Sequence, residues 1–148
     1  MIKIFNISDG YKLLNECYTY YPKLKDRGIK VEVSNKGFMI DLTNDIIYIE
    51  NRFTNKKHIK LFIRYLKDEF NFNLDKNKIE KFAFLHEVGH NYHNYDYVLG
   101  KNRMIDIIRY NEEFYNNTKS ENFMNYRQME CEYLADTFAV DMMNNLYN

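Results

Sequence analysis

The sequence predicts an α+β domain, with a small antiparallel sheet near the N-terminus followed by a helical core. Three observations carry that prediction. Ile29, Val31 and Val33 alternate with Lys30, Glu32 and Ser34, which is the period of a half-buried strand. Two further short apolar runs follow, FMIDL and IIYIE, set apart by Asn-Lys-Gly and Thr-Asn-Asp turn residues. Elsewhere apolar residues recur three and four apart, the period of a helix. No Pro/Gly/Ser-rich linker, repeat or low-complexity block divides the 148 residues, so one domain spanning 1–148 is expected.

Each element has its own local reason. Ser8-Asp9 reads as a helix start, followed by Leu13, Leu14, Cys17, Tyr18 and Tyr21 on one face. Pro22 disturbs that helix and Gly28 is a natural stop. The three strands then read as an antiparallel meander. After residue 54 the pattern is helical. Ile59, Leu61, Phe62, Tyr65, Leu66 and Phe70 mark one amphipathic face. Asn77 with Glu80 forms a capping box for a helix reaching about residue 94. Two more helices are expected near 101–116 and 120–146.

Composition excludes several function classes. Lys+Arg 21 balance Asp+Glu 21, and a net charge of zero argues against direct nucleic-acid or membrane-surface binding. No apolar run reaches the roughly 18 residues of a spanning helix. The opening MIKIFNISDG lacks the apolar core of a signal peptide, so a cytoplasmic location is expected. Cys17 and Cys131 stand apart without a CxxC motif and read as reduced, inert thiols. The background is rich in Asn (20 residues) and poor in Ala (3), which makes two short segments stand out.

The first is His86-Glu87-Val88-Gly89-His90. On a helix, positions i and i+4 share a face, so both imidazoles reach one ion, and Glu87 stands where a carboxylate takes a proton from an activated water. Chance gives HExxH about once in 100 such chains. The second is Glu132-Tyr133-Leu134-Ala135-Asp136, with its two acids again at i and i+4. A catalytic zinc needs a third protein ligand, which Glu132 can supply. Asp136 can then accept a hydrogen bond from the free ring nitrogen of a ligand histidine and fix its tautomer. Ala135 and Ala139, placed against Gly89, let two helix backbones approach closely around the ion.

Other ligand sets remain open at this point. Asp96 closes HEVGHNYHNYD at a spacing close to that of zincins whose chain turns out of the helix at a Gly after the second His. His93 stands at that position here, which disfavours the turn. His93 lies one turn beyond His90, placed either to stabilise an oxyanion or as a surface hydrogen-bonding residue. Glu130 is near Glu132 but has no Asp four residues on, and His58 sits in the basic run Lys56-Lys57-His58. Tyr92, Tyr95, Tyr97 and Arg127 are further donors for a developing oxyanion.

HExxH with a distant ExxxD resembles the gluzincin pattern. The local form, FLHEVGHNYH and then EYLADTFA after about forty residues, is similar to the ImmA/IrrE-type metallopeptidases, and GFMIDLTNDIIYIENRF is similar to the strand pair those proteins carry before the motif helix. The resemblance covers roughly residues 37–145. It implies a zincin-like core, Zn²⁺ held by His86, His90 and Glu132, and Glu87 as catalytic base. It also implies a protein substrate, such as a helix-turn-helix repressor of a mobile element or stress response. The chain departs from that family by Ala-Asp where Ala-Asn is usual after the ligand Glu, and no helix-turn-helix is fused to it. The Asp form is similar to CAAX-type and heat-shock zinc peptidases, whose membrane helices have no counterpart here.

The expectation is therefore a zinc metalloendopeptidase acting on a specific intracellular protein. The alternative is a metal-stabilised protein that sequesters a partner without cutting it. A base beside the metal favours the enzyme. The sequence speaks to no oligomeric state.

Overall fold

A computed structural model describes residues 5–35, 37–50, 59–98 and 130–147, without the side chains of 94–98 and 130. The first helix, α1, spans Ile7–Tyr20 and starts two residues earlier than Ser8-Asp9 suggested. Its cap is Asn6. The Asn6 side chain accepts from the Asp9 N–H at 2.9 Å, and the Asp9 carboxylate accepts from the Asn6 N–H at 3.0 Å. α1 buries Gly10, Leu13, Leu14 and Cys17. At Gly10 a methyl group would stand 3.0 Å from Val31 and 3.2 Å from Phe84, so the absence of a side chain lets helix, sheet and central helix converge. Tyr21 ends the helix, and Pro22 opens a 3-10 turn over Pro22–Arg27 that Gly28 closes at φ 63°.

The sheet corrects the expected meander. Its strands are β1 (Lys30–Ser34), β2 (Met39–Asp41) and β3 (Ile46–Glu50), in the order β1-β3-β2. β2 and β3 form the expected antiparallel pair, with Ile40 opposite Ile47. β1 instead lies parallel to β3, with Val31 opposite Ile47 and Val33 opposite Ile49. Burial explains the arrangement. Ile47 and Ile49 are almost fully enclosed and belong to a strand with neighbours on both sides, whereas Val33 and Met39 are exposed and suit edges. Alternation along β1 sets which face is apolar but is silent about which strand lies beside it. The β2–β3 turn is held by Asp41, whose Oδ1 accepts from the Thr43 and Asn44 N–H groups, and it ends with Asp45 at φ 55°.

α2 (Ile59–Phe70) buries Tyr65 and Leu66, with Phe62 and Phe70 packed beside them. Leu61 lies at the margin of this face, half of it exposed. Asp75 then caps a 3-10 turn over Lys76–Lys78 by accepting from the Asn77 N–H at 2.9 Å. The expected Asn77–Glu80 capping box is therefore absent. Glu80 instead accepts from the Phe5 N–H at 3.2 Å, tying the N-terminal segment to the next helix.

That helix, α3, spans Ile79–Val98 and runs past the expected end near residue 94. It is buried on nearly every side, with Phe82, Phe84, Leu85 and Val88 fully enclosed and the polar His86, Glu87, His90 and Asn91 buried as well, as suits the central helix of the core. Its most extensive packing is with the last helix, α4 (Glu130–Tyr147), which buries Ala135, Phe138, Ala139, Met142 and Met143. The helix expected over 101–116, and residues 120–129 of the one expected over 120–146, lie outside the described residues. Among the described residues no helix is long and apolar enough to cross a membrane.

Candidate metal centre

Two helices supply the centre. On α3, His86 and His90 are one turn apart, with ring centroids 4.5 Å apart and planes nearly perpendicular. On α4, Glu132 and Asp136 are likewise one turn apart. The helices come together because Gly89 presents bare backbone: a methyl group there would lie 2.9 Å from the Ala135 carbonyl oxygen and 2.9 Å from the Phe138 Cβ. The expected partnership of Gly89 with the small residues of the last helix is thus present at Ala135.

This approach carries Glu132 to the histidine pair. His86 Nε2 lies 2.7 Å from Glu132 Oε2, and His90 Nε2 lies 3.2 Å from Glu132 Oε1. One donor atom from each of the three residues falls within 4.8 Å of the others, so His86, His90 and Glu132 form a buried cluster that could hold a metal ion. On the far side of the ring, His86 Nδ1 is 2.7 Å from Asp136 Oδ1. Glu132 and Asp136 are fully enclosed, while Glu87 is the most exposed of the set at 9%.

The electrostatics ask for a cation. Burial alone would discharge both partners, lowering the His86 pKa and raising that of Glu132. Attraction wins in each case: Glu132 and Asp136 push His86 up to about 10, while His90 and His86 hold Glu132 well below the usual carboxylate range. A neutral imidazole carries one ring proton, yet both His86 nitrogens face carboxylate oxygens at 2.7 Å. With Glu132 held ionised, the His86 Nε2 contact calls for a positive charge at that nitrogen, which a second ring proton supplies. Two imidazole nitrogens, a carboxylate and a carboxylate behind one ring make a donor set that fits a metal.

The other expected site residues fall as follows. His93 is half-buried, with its ring edge-on to those of Tyr92 and Phe138 at 5.2 and 6.5 Å. α3 runs unbroken through His93 to Val98, so the sharp exit that would serve Asp96 does not occur. The side chains of Asp96, Tyr95, Tyr97 and Glu130, together with His58 and Arg127, lie outside the described residues.

Sequence reasoning passed over a polar junction next to His90. Asn91 is fully buried, and its Nδ2 donates to Asp45 Oδ1 at 2.7 Å. Arg27 Nη1 donates both to Asn91 Oδ1 at 3.0 Å and to the Asn91 main-chain carbonyl at 2.9 Å. The guanidinium also lies 5.9 Å from the centre of the Tyr92 ring. One asparagine among 20 carries no compositional signal, and its sole sequence cue was its place beside the second histidine of HExxH.

Comparison of the chain with protein-family models, curated proteins and solved structures finds no match, and the functional reading rests on the geometry of the two helices.

Proposed function

We propose that the protein is a zinc-dependent metallopeptidase that hydrolyses a peptide bond in a specific protein substrate. The observation that carries this reading is the convergence of His86, His90 and Glu132 with a glutamate, Glu87, directly following the first histidine. A purely structural metal has no use for that carboxylate. Two nitrogens and one carboxylate oxygen favour zinc over calcium or magnesium, which take oxygen donors.

In this reading His86, His90 and Glu132 hold the ion. Asp136 accepts the Nδ1 proton of His86 and so turns the Nε2 lone pair towards the centre. Zinc, when bound, supplies the Lewis acidity that lowers the pKa of water towards roughly 7 and polarises a carbonyl. Glu87 takes a proton from the attacking water and delivers it to the leaving amine. The carboxylates of Glu132 and Asp136 together balance a divalent charge inside a site that excludes most solvent. A helix-turn-helix repressor is the substrate class that the resemblance to ImmA/IrrE-type peptidases suggests. The net charge of zero supports action on a protein rather than on nucleic acid.

The test combines metal content with cleavage of a fluorogenic peptide library. Wild type and Glu87→Gln are expected to carry stoichiometric zinc, His86→Ala and Glu132→Ala to lose it, and only wild type to cleave. Zinc content unchanged in the ligand variants, or equal cleavage by wild type and Glu87→Gln, overturns the reading.

A further inference from the structure

The junction at Asn91 ties two separate parts of the chain to the helix that carries both histidines. Asp45 ends the β2–β3 turn, and its main-chain oxygen accepts from the Lys30 N–H at 3.0 Å, so it belongs to the sheet on both sides. Arg27 ends the 3-10 turn that follows α1. Both converge on the single amide of Asn91, whose oxygen and nitrogen each find a charged partner without help from water. Asp45 holds a left-handed backbone conformation, φ 55°, that a residue with a side chain adopts at some cost. The surroundings therefore hold it in the place from which it reaches Asn91.

The position of Asn91 on the helix gives the junction its meaning. Successive helical residues point about 100° apart. His90 faces α4, where it meets Glu132, while Asn91 faces the sheet and the 3-10 turn. The rotation of α3 about its axis is thus fixed from two directions at neighbouring residues. An imidazole reaching a metal tolerates displacements of only roughly 0.5 Å or 10–20°. Glu132 cannot set that rotation alone, because its own position depends on how α3 presents Gly89 to Ala135.

We propose that Asn91 is a positioning residue for the metal centre, holding α3 through Asp45 and Arg27 in the rotation that aims His90 at the ion. The proposal rests on His86, His90 and Glu132 binding a metal. It assigns to the sheet and the α1 turn a part in metal affinity that neither plays through direct contact.

Cobalt(II), whose visible spectrum reports ligand geometry, is the probe, titrated into the full chain beside thermal unfolding. Asn91→Asp sets a second carboxylate against Asp45 and breaks the bond. The double variant Asn91→Asp with Asp45→Asn exchanges donor and acceptor and restores it, with Arg27 still paired. Expected are a cobalt affinity lowered about 10–100-fold with an altered spectrum in the single variant, and recovery of both in the double one. Arg27→Lys, a milder change that keeps the charge, is expected to weaken cobalt several-fold and provides the decision if Asn91→Asp does not fold. A folded Asn91→Asp or Arg27→Lys protein with wild-type affinity and spectrum but a lower melting temperature overturns the proposal and leaves the metal site standing. Absence of cobalt binding by wild type, or its persistence in Glu132→Ala, overturns the metal reading itself and the proposal with it.

Discussion

Gly89 of α3 and Ala135 of α4 meet backbone against backbone, so closely that a methyl group on Gly89 would lie 2.9 Å from the Ala135 carbonyl oxygen and 3.0 Å from its Cα. The atoms in the way are main chain, joined by the Phe138 Cβ at 2.9 Å, and none of them can rotate aside. Gly89→Ala therefore forces the helices apart. The gain in helix propensity, up to about 1 kcal/mol, falls short of an overpacking cost of about 1–3 kcal/mol. Lower stability in urea with chelator present is expected. A fall in zinc affinity is expected alongside it, because Glu132 is carried on the displaced helix.

Asp136 touches the ring of His86 and is not among the three residues whose donor atoms converge. Asp136→Asn keeps the shape of the side chain but removes the charge and half of the acceptor capacity at Nδ1. Zinc affinity, measured by competition with a chromophoric chelator, is expected to drop about 10–100-fold while the metal-free protein remains folded.

The metal-free protein should show a specific dependence on pH. His86 moves from 6.5 to about 10 on folding, so its protonated form stabilises the fold fully below about pH 6.5, and that contribution is lost as pH rises towards 10. Glu132 is shifted in the opposite direction. Its ionised form stabilises the fold above its ordinary value of 4.5, and the contribution is lost as pH falls through the depressed one. On the proposed function zinc would take the place of the His86 proton, so zinc uptake near neutral pH is expected to release a proton and to remove the alkaline decline. Calorimetry in buffers of different ionisation heat measures that proton. Uptake without proton release would show that His86 was neutral beforehand.

The two cysteines are unbridged and differ in accessibility. Burial, reinforced by the charge of Glu16, pushes the Cys17 thiol up to about 12, whereas Cys131 is only half-buried. Iodoacetamide at about pH 8 is expected to label Cys131 in the native protein and both residues in urea, read by mass spectrometry.

The centre was legible because its chemistry repeats at helical spacing. His86 with His90, and Glu132 with Asp136, each sit four apart, and the scarcity of Gly and Ala drew attention to Gly89 and Ala135. The sheet was legible as three strands but not as a topology, since parallel pairing of β1 with β3 depends on burial of Ile47 and Ile49 from both sides. Local capping was misplaced wherever several Asn and Asp residues competed. Asn6 took the role assigned to Ser8, and Asp75 caps the 3-10 turn ahead of α3 where Asn77 was expected to cap the helix itself, while Glu80 is drawn off to Phe5 across 75 residues. Asn91 was invisible for a similar reason: its partners, Arg27 and Asp45, lie 64 and 46 residues away.

The central seat of β3 has a consequence for biosynthesis. A nascent chain that has emerged as far as residue 45 carries β1 and β2, which are not neighbours in the finished sheet. Each must wait with its backbone donors and acceptors unpaired until Ile46–Glu50 arrives between them. Until that strand is in place the chain carries two open strand edges at once, the condition under which chains stick to one another. The five residues IIYIE therefore complete the sheet on both sides at once, joining β1 and β2, which make no ladder with each other.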